Sequence, residues 1–560
     1  MRQSSRAAGG NCGPLVRGAA RAELLARFAI GPILINSRVV RPVMAGCAGL
    51  RPVAAIVLCG LAFASGLWAQ ADTAARPAAV SATPKSSGGQ LPVLGDGSEL
   101  SAGAERRLGD KIAREIYRDP DYIDDPVLLE YVNTIWQALL AAARARGELS
   151  PELDQHFAWQ VMLGRDRTVN AFALPGGYLG LHLGLISVVT SRDELASVLA
   201  HELSHVTQRH ISRLISKQGE QAPWMIGAMI LGALAASKNP EAANALIVGG
   251  QAVAIQNQLN FSRDMEREAD RVGFGVMTQA GFAAQGFVSM FDKLQQAGRL
   301  NDNAAFPYLR SHPLTTERIA DIQARQPIGA LPVANVDMAL EHAIISARAR
   351  VLSNPGVDTL RQWVAEAGSV APGPLPPARA VAALYAGALA AARLRDFSSA
   401  QAMLARLSAS TEADADAARL TRLLAVEVAL LSGTPAPELA KRGRPELLLT
   451  AQTLLGRGRA AEAAPGLQAW VALHPRDAAA WQLLASASAA QGQPLRAVRA
   501  EAEAQVAQLD YAAAMDRFRA AQSMVRNASG AAAVDHFEAS IIDTRARQVQ
   551  LLLREQALER

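Results

Sequence analysis

The chain has 560 residues, of which half are apolar and 5% aromatic, with a formal net charge of +5. This length exceeds what one hydrophobic core usually organises, so we expect at least two domains. The positive charge lies in residues 1–71, which hold eight Arg and one Glu and leave 48 basic and 50 acidic residues, a net charge of −2, in the remainder. That balance argues against a nucleic-acid-binding function.

Residues 1–71 are predicted to contain a signal peptide. An apolar run from Pro52 to Leu67 is followed by Ala69-Gln70-Ala71, a pattern typical of signal-peptidase cleavage. Met44 begins a segment of ordinary signal-peptide length, so the residues before it are interpreted as an upstream extension. A retained membrane anchor is the alternative. Every cysteine precedes the predicted cleavage point (Cys12, Cys47 and Cys59), so the mature protein would have no disulfides.

The next segments alternate between linker, helix and strand patterns. Residues 72–100 are rich in Ala, Pro, Ser and Gly, which predicts a linker. From about Ser101 to Arg146 the apolar residues have helical spacing, and Phe157 to Leu163 alternates loosely like a strand. Asn170 to Leu181, with two adjacent glycines at its centre, predicts a strand, a turn and a strand. This hairpin could pair with an extended peptide through its edge, or be an ordinary core hairpin.

A helix beginning at Ser191 is predicted to carry the motif His201-Glu202-x-x-His205. Ser191 and Glu194 have the spacing of a capping box, and a helical apolar stripe continues through the motif. Four residues of helix turn by about 400°, so His201 and His205 lie one turn apart on one face. Glu202 lies about 100° from His201. The pattern indicates a zinc peptidase in which two histidines bind metal and the glutamate is the base.

A third metal ligand is expected in a second acidic helix. Glu266 and Asp270 are one turn apart there, whereas Glu268 is about 200° from Glu266. We therefore predict that Glu266 binds the metal and that Asp270 orients a ligating histidine. Glu268 would face solvent or pair with an Arg. An acidic helix face without a metal is the alternative interpretation.

Between these helices lie two apolar segments, Pro223 to Ala236 and about Ala243 to Ile255. Each is short for a bilayer span. A buried helical hairpin is the preferred interpretation. The alternative is a hairpin that rests on a membrane surface or covers the active site.

The motif residues also carry a family resemblance. His201-Glu202-x-x-His205 followed by Ser262-Arg263-x-x-Glu266-x-x-x-Asp270 resembles the zinc peptidases that include the CAAX prenyl proteases and HtpX. Within that group, three further features look like those of the periplasmic β-barrel assembly-enhancing proteases: the hairpin at 170–177, His205-Val206-x-Gln208-Arg209-His210, and Ser311-His312-Pro313-Leu314.

The resemblance spans roughly residues 95–325 and implies one Zn²⁺ per chain. It implies His201, His205 and Glu266 as the zinc ligands, and assigns the catalytic roles to Glu202 as the base and Asp270 as a supporting residue.

Two further histidines, His312 and His210, each have more than one interpretation. The resemblance implies that His312 approaches the zinc as a fourth, regulatory ligand that holds the enzyme inactive until a loop moves. An imidazole in the water position would block catalysis. A histidine that packs locally ahead of Pro313 fits the sequence equally well. His210 lies about 140° from His205 on a continuous helix, which favours a surface or packing role.

The carboxyl-terminal half has a helical pattern with a repeat. Gly458-x-x-x-x-Ala463 recurs 34 residues later as Gly492-x-x-x-x-Ala497, the period of tetratricopeptide repeats. Stacked helix pairs of this kind form a concave binding face. An irregular Ala-rich helical domain is the alternative. The proteases that this chain resembles also carry such repeats after the peptidase domain.

The sequence therefore predicts a mostly α protein. An α+β zincin-like metallopeptidase domain with a small sheet occupies residues 101–330, and an α-solenoid of tetratricopeptide-like repeats occupies 331–560. The resemblance implies a periplasmic zinc metalloendopeptidase that degrades misassembled outer-membrane β-barrel proteins and aids their assembly.

Its partners would be unfolded or stalled outer-membrane proteins and, through the repeats, the assembly machinery, with residues 223–255 as a candidate peripheral membrane contact. The competing interpretation is a chaperone or scaffold whose repeats bind clients while the peptidase is mostly latent.

Overall fold

The structure is a computed structural model that describes residues 100–218, 262–299, 306–326, 338–353, 356–370, 377–527 and 535–558. These residues all belong to one compact unit. The predicted signal peptide, the linker up to residue 99 and the apolar segments within 223–255 lie outside the described residues. Among the residues described, no helix is both long enough and apolar enough to cross a membrane.

The first helices of the described chain have clear start signals. Helix α1 begins after Ser101, whose hydroxyl accepts a hydrogen bond from the N–H of Ala104, and α2 begins after Asp125, whose carboxylate accepts from the N–H of Leu128. The elements are α1 (Ala102–Arg118), β1 (Tyr122–Ile123), α2 (Pro126–Ala145) and α3 (Pro151–His156).

Four strands form one small sheet in the order β1-β2-β4-β3. The later strands are β2 (Gln160–Gly164), β3 (Ala171–Leu174) and β4 (Tyr178–His182). β2 and β4 are parallel, whereas β3 and β4 form the antiparallel hairpin that the sequence predicts. Its turn needs positive φ at Gly176 and Gly177, 72° and 81°. Strand β3 therefore lies at one edge of the described sheet.

The motif helix lies against the edge strand. After α4 (Leu183–Val188), helix α5 (Arg192–Thr207) packs against β3, α7 (Arg263–Gln279) and α8 (Gln285–Arg299). The predicted capping box is half formed, because the hydroxyl of Ser191 accepts from the N–H of Glu194 at 3.1 Å. The Glu194 carboxylate instead accepts from the N–H of Thr190 at 2.6 Å and contacts Lys293. Nearly every residue of α5 is buried.

Three shorter helices complete the surroundings of the site. Helix α6 (His210–Gln218) follows a sharp turn at Arg209, where φ is 53°. Helices α9 (Tyr308–Ser311) and α10 (Thr316–Ala324) follow α8.

From Val357 onward, each helix of the carboxyl-terminal half packs against the next one. Gly458 and Gly492, which mark the predicted period, both have positive φ between helices, 75° and 70°. This arrangement supports the predicted helical repeats. The helices are α11 (Leu340–Leu352), α12 (Val357–Ser369), α13 (Pro377–Arg393), α14 (Phe397–Thr411), α15 (Ala415–Ser432), α16 (Arg444–Gly456), α17 (Ala460–Leu473), α18 (Ala478–Ala490), α19 (Pro494–Ala507), α20 (Tyr511–Asn527) and α21 (His536–Leu558).

The hydrophobic core continues across the predicted boundary near residue 330. Helix α11 packs on α4, and one cluster of buried residues includes Leu185 and Ile186 of α4 together with Ile344 and Ile345 of α11. The division into domains at 101–330 and 331–560 therefore stays a prediction from sequence.

A buried arginine joins the two halves. The guanidinium of Arg348, on α11, lies 2.7 Å from Asp125 at the start of α2 and 2.8 Å from Glu427 on α15. It also donates to the hydroxyl of Tyr385 at 3.0 Å. Both carboxylates are more than nine-tenths buried. The charged groups thus compensate one another where water is excluded.

Candidate metal centre

The two histidines of the motif face each other on α5. The distance from His201 Nε2 to His205 Nε2 is 3.0 Å, and both rings are buried. Their spacing of one helical turn places both imidazoles on one side of the helix, as predicted.

Helix α7 brings Glu266 to these rings. Its carboxylate oxygens lie 3.5 Å from Nε2 of His201 and 3.5 Å from Nε2 of His205. Gly273 allows the approach, because a Cβ at this position would lie 3.1 Å from the backbone of Ala200 and His201. A larger residue there would push α7 away from α5.

His312 joins the same cluster from the end of α9. Its Nδ1 lies 3.0 Å from Glu266 Oε1 and 3.4 Å from His201 Nε2. Its ring stacks on Tyr308, with centroids 4.6 Å apart. His312 thus lies beside two predicted ligands and also packs on Tyr308, so both interpretations of this residue stay predictions.

The four residues could hold a metal ion. One ligand atom from each of His201, His205, Glu266 and His312 lies within 4.8 Å of every other. The edges of a tetrahedron around zinc, with bonds of roughly 2.0–2.1 Å, are about 3.3 Å long. Five contacts among the imidazole nitrogens and the two carboxylate oxygens of Glu266 run from 3.0 to 3.5 Å. The two nitrogens and the carboxylate of the predicted set therefore fit such an ion.

Asp270 lies behind His201, as predicted. Its Oδ1 is 2.9 Å from His201 Nδ1, on the far side of the ring from the cluster. Arg318 donates two hydrogen bonds to the same carboxylate, at 2.6 and 2.8 Å, and lies 2.8 Å from Glu266. Because its Nδ1 lies beside Asp270, His201 directs Nε2 toward the other ligands.

Electrostatics make this pocket favourable for a cation. Burial opposes the charged form of His201, but Asp270 and Glu266 raise its pKa to about 9. Burial and the neighbouring His201 hold the pKa of His205 well below its usual value. Burial opposes ionisation of Glu266, yet His312 and His201 hold its pKa well below the usual range. The pocket thus stabilises one positive charge beside the ionised carboxylate of Glu266. A metal ion can supply that charge.

Glu202 is positioned beside the cluster. Its Oε2 accepts a hydrogen bond from the N–H of Ala173, on β3, at 2.9 Å. Its buried Oε1 accepts no hydrogen bond within the described residues and lies 3.5 Å from His312 Nε2. One oxygen is therefore held by the edge strand, and the other is directed toward the ligand cluster.

The structure also contains a contact that the sequence reasoning missed. His210 is buried, with its Nδ1 2.9 Å from His205 Nδ1 and its Nε2 3.1 Å from Glu268. His210 is therefore a packing residue, one of the two predicted alternatives, and does not lie at the surface. The turn at Arg209 ends the helix, so the angle from His205 on a continuous helix does not give the direction of His210. Glu268 pairs with Arg213 at 2.9 Å, as its predicted pairing with an Arg allows.

Comparison with known proteins identifies the family of this site. The profile of peptidase family M48 matches residues 132–326, which include all four clustered residues. The β-barrel assembly-enhancing protease of Escherichia coli is 31% identical over 442 residues, which cover 75% of this chain and 85% of that protein. The chain belongs to peptidase family M48.

Two other relatives show how far the M48 likeness extends. A putative β-barrel assembly-enhancing protease of Vibrio cholerae is 35% identical over 324 residues, and the aligned region spans 63% of its length. The mitochondrial metalloendopeptidase OMA1 of Arabidopsis thaliana is 31% identical over 161 residues, 29% of this chain and 30% of that protein. This M48 chain is therefore a metalloprotease that uses a metal ion and acts on protein substrates.

Proposed function

We propose that the chain is an exported zinc metalloendopeptidase. The observation that carries the proposal is the buried cluster of His201, His205 and Glu266 with the carboxylate of Glu202 beside it. His201, His205 and Glu266 would hold one Zn²⁺, and Asp270 would support His201. When bound, the ion supplies Lewis acidity, which polarises a scissile carbonyl and acidifies water.

The residues of the chain provide the proton transfers and the orientation. Glu202 accepts the proton of the attacking water at Oε1 and delivers it to the leaving amine, while the Ala173 N–H holds Oε2 in place. The outer edge of β3 would bind the substrate as an extended strand, so that its backbone passes the catalytic glutamate.

The names of the relatives and the predicted signal peptide support a more specific role. We propose a periplasmic enzyme that removes misassembled outer-membrane β-barrel proteins and aids their assembly. The peptidase domain at 101–330 would cleave clients. The tetratricopeptide-like repeats at 331–560 would bind clients and the assembly machinery, and residues 223–255 would contact the membrane.

The second candidate function is a scaffold whose peptidase is latent. The position of His312 supports this candidate. This side chain lies against Glu266 and Glu202 at once, so it occupies space that water and substrate need. We propose that His312 is an inhibitory ligand that must leave before catalysis.

Removing His312 should therefore raise activity. In His312→Ala, we expect faster cleavage of an unfolded protein substrate with unchanged metal content, because the ring no longer fills the site. Initial rates at equal folded concentration check this. His182→Ala, which removes a buried histidine of β4, is the matched control. Unchanged or lower activity in His312→Ala would contradict the inhibitory role.

Metal removal tests the site itself. Purified protein should contain about one zinc ion per chain, as the ligand set predicts. A ligand that binds only the folded state at 1,000 times its Kd stabilises that state by about 4 kcal/mol. Chelation should therefore lower the melting temperature, and zinc should restore it.

His205→Ala, which lacks one of the proposed zinc ligands, is the control for the chelation experiment. It should contain little zinc and show no change in melting temperature on chelation. Wild-type protein that binds no stoichiometric metal would overturn the proposed function.

A further inference from the structure

The two motif histidines are supported from behind by different chemistry. Behind His201 stands the carboxylate of Asp270, but behind His205 stands a third imidazole, that of His210. His210 is completely buried, and its Nδ1 lies 2.9 Å from His205 Nδ1. Nothing in the motif pattern requires a histidine there.

The contacts fix which nitrogen of each ring carries a proton. His205 directs Nε2 toward Glu266 and His201, so a neutral His205 that binds metal through Nε2 must carry its proton on Nδ1. That N–H can only donate, so His210 Nδ1 must accept. The proton of His210 then lies on Nε2, which is 3.1 Å from Glu268 Oε2.

Glu268, which accepts the hydrogen bond of His210, is itself held in place. Arg213 donates to Glu268 Oε2 at 2.9 Å, so the acceptor for His210 stays ionised and oriented. His210 reaches its place because the chain turns sharply at Arg209, whose guanidinium contacts Glu105 at 3.2 Å and the carbonyl of Leu100. Two elements therefore hold the imidazole: the turn before α6 and the acidic helix α7.

We propose that His210 is a positioning residue that sets the tautomer and ring orientation of the metal ligand His205, with Glu268 orienting His210 in turn. The inference rests on the proposed metal site. It extends that site to a third histidine and to the glutamate of α7 that does not face the metal.

The test measures metal affinity and coordination rather than activity alone. Zinc dissociation constants are obtained by competition with a chromophoric chelator, and the Co²⁺-substituted protein reports coordination geometry through its visible absorption. His210→Leu keeps the bulk of the side chain but removes the acceptor. His210→Asn returns an acceptor oxygen near the position of Nδ1. Glu268→Ala removes the partner of His210 at a side chain that is 27% exposed.

His342→Leu is the matched control, since His342 is a buried histidine outside the metal site. Its Nδ1 lies 2.7 Å from the hydroxyl of Tyr131 and its Nε2 lies 3.0 Å from the carbonyl of Val189. This variant should lose stability while keeping the zinc affinity and Co²⁺ spectrum of the wild type.

His210→Leu should weaken zinc binding by about 10–100-fold, the usual effect of losing the partner of a metal-bound histidine. The Co²⁺ spectrum should change with it. His210→Asn should recover most of the affinity, and Glu268→Ala should weaken binding less than His210→Leu.

Wild-type affinity in His210→Leu would overturn the inference, as would an equal loss in His342→Leu. If His210→Leu does not fold, Glu268→Ala decides: weaker zinc binding at an unchanged melting temperature supports the inference, and unchanged binding overturns it. Failure of the proposed function is distinguishable, because the wild type itself would then bind no stoichiometric zinc.

Discussion

Replacing Glu202 by Gln is expected to lower the rate of peptide hydrolysis by about 10²–10⁴-fold, the usual contribution of a general base. The amide has the shape of the carboxylate, and its oxygen can still accept the hydrogen bond from the Ala173 N–H. What is lost is the ability to take a proton at the position of Oε1. The zinc content and melting temperature should stay close to those of the wild type.

The measurement is kcat/KM on an unfolded protein substrate, with zinc content determined on the same samples. Glu194→Gln is the matched control, since Glu194 is a buried glutamate of the same helix that contacts Lys293 rather than the cluster. It should lose some stability but keep its activity per folded molecule. Wild-type activity in Glu202→Gln would exclude Glu202 as the base.

The same variant separates the two proposed roles in cells. If outer-membrane protein assembly is normal with Glu202→Gln, the repeats act as a scaffold and proteolysis is dispensable. Defective assembly would support the peptidase role.

Arg348→Met is expected to destabilise the protein by about 3–5 kcal/mol, the typical cost of leaving a buried partner charge without compensation. Asp125 and Glu427 would both remain in an environment without water, and Tyr385 would lose its donor. Because the cluster joins α2, α11 and α15, we expect peptidase activity and helical structure to be lost together on unfolding.

Denaturant unfolding, followed by circular dichroism and by residual activity, checks this expectation. Arg361→Met is the control, since that arginine is 71% exposed and pairs only with the exposed Asp358 among its described ion pairs. A triple variant that combines Arg348→Met with Asp125→Asn and Glu427→Gln should recover much of the stability, because no unpaired charge remains. A loss below about 1 kcal/mol in Arg348→Met, the value of an exposed pair, would contradict the buried role.

The central part of the site could be predicted because it depends on short-range geometry. The angle between residues of one helix brings His201 and His205 together and distinguishes Glu266 from Glu268, and this angle follows from sequence spacing. The turn of the β3–β4 hairpin was likewise indicated by its two glycines. The meeting of α5 with α7 was inferred from the metal chemistry, which needs a third ligand.

The missed features depend on tertiary contacts. The left-handed conformation of Arg209 has no sequence signature, so the direction of His210 could not be computed from helical periodicity. Glu194 has the spacing of a capping box, but Thr190 and Lys293 compete for its carboxylate. The contact of Arg348 with Asp125 joins residues 223 positions apart, and local patterns carry no information about such a pair.

The continuous core also affects how this protein can be divided. A chain ending near residue 330 would leave Leu185 and Ile186 of α4 without the apolar face of α11, and Asp125 without its guanidinium. A fragment that continues to the end of α15 at Ser432 keeps the contact of α4 with α11 and the contact of Asp125 with Arg348. We therefore expect a fragment that ends at Ser432, about a hundred residues beyond the region matched by the family, to be more stable than one that ends near residue 330.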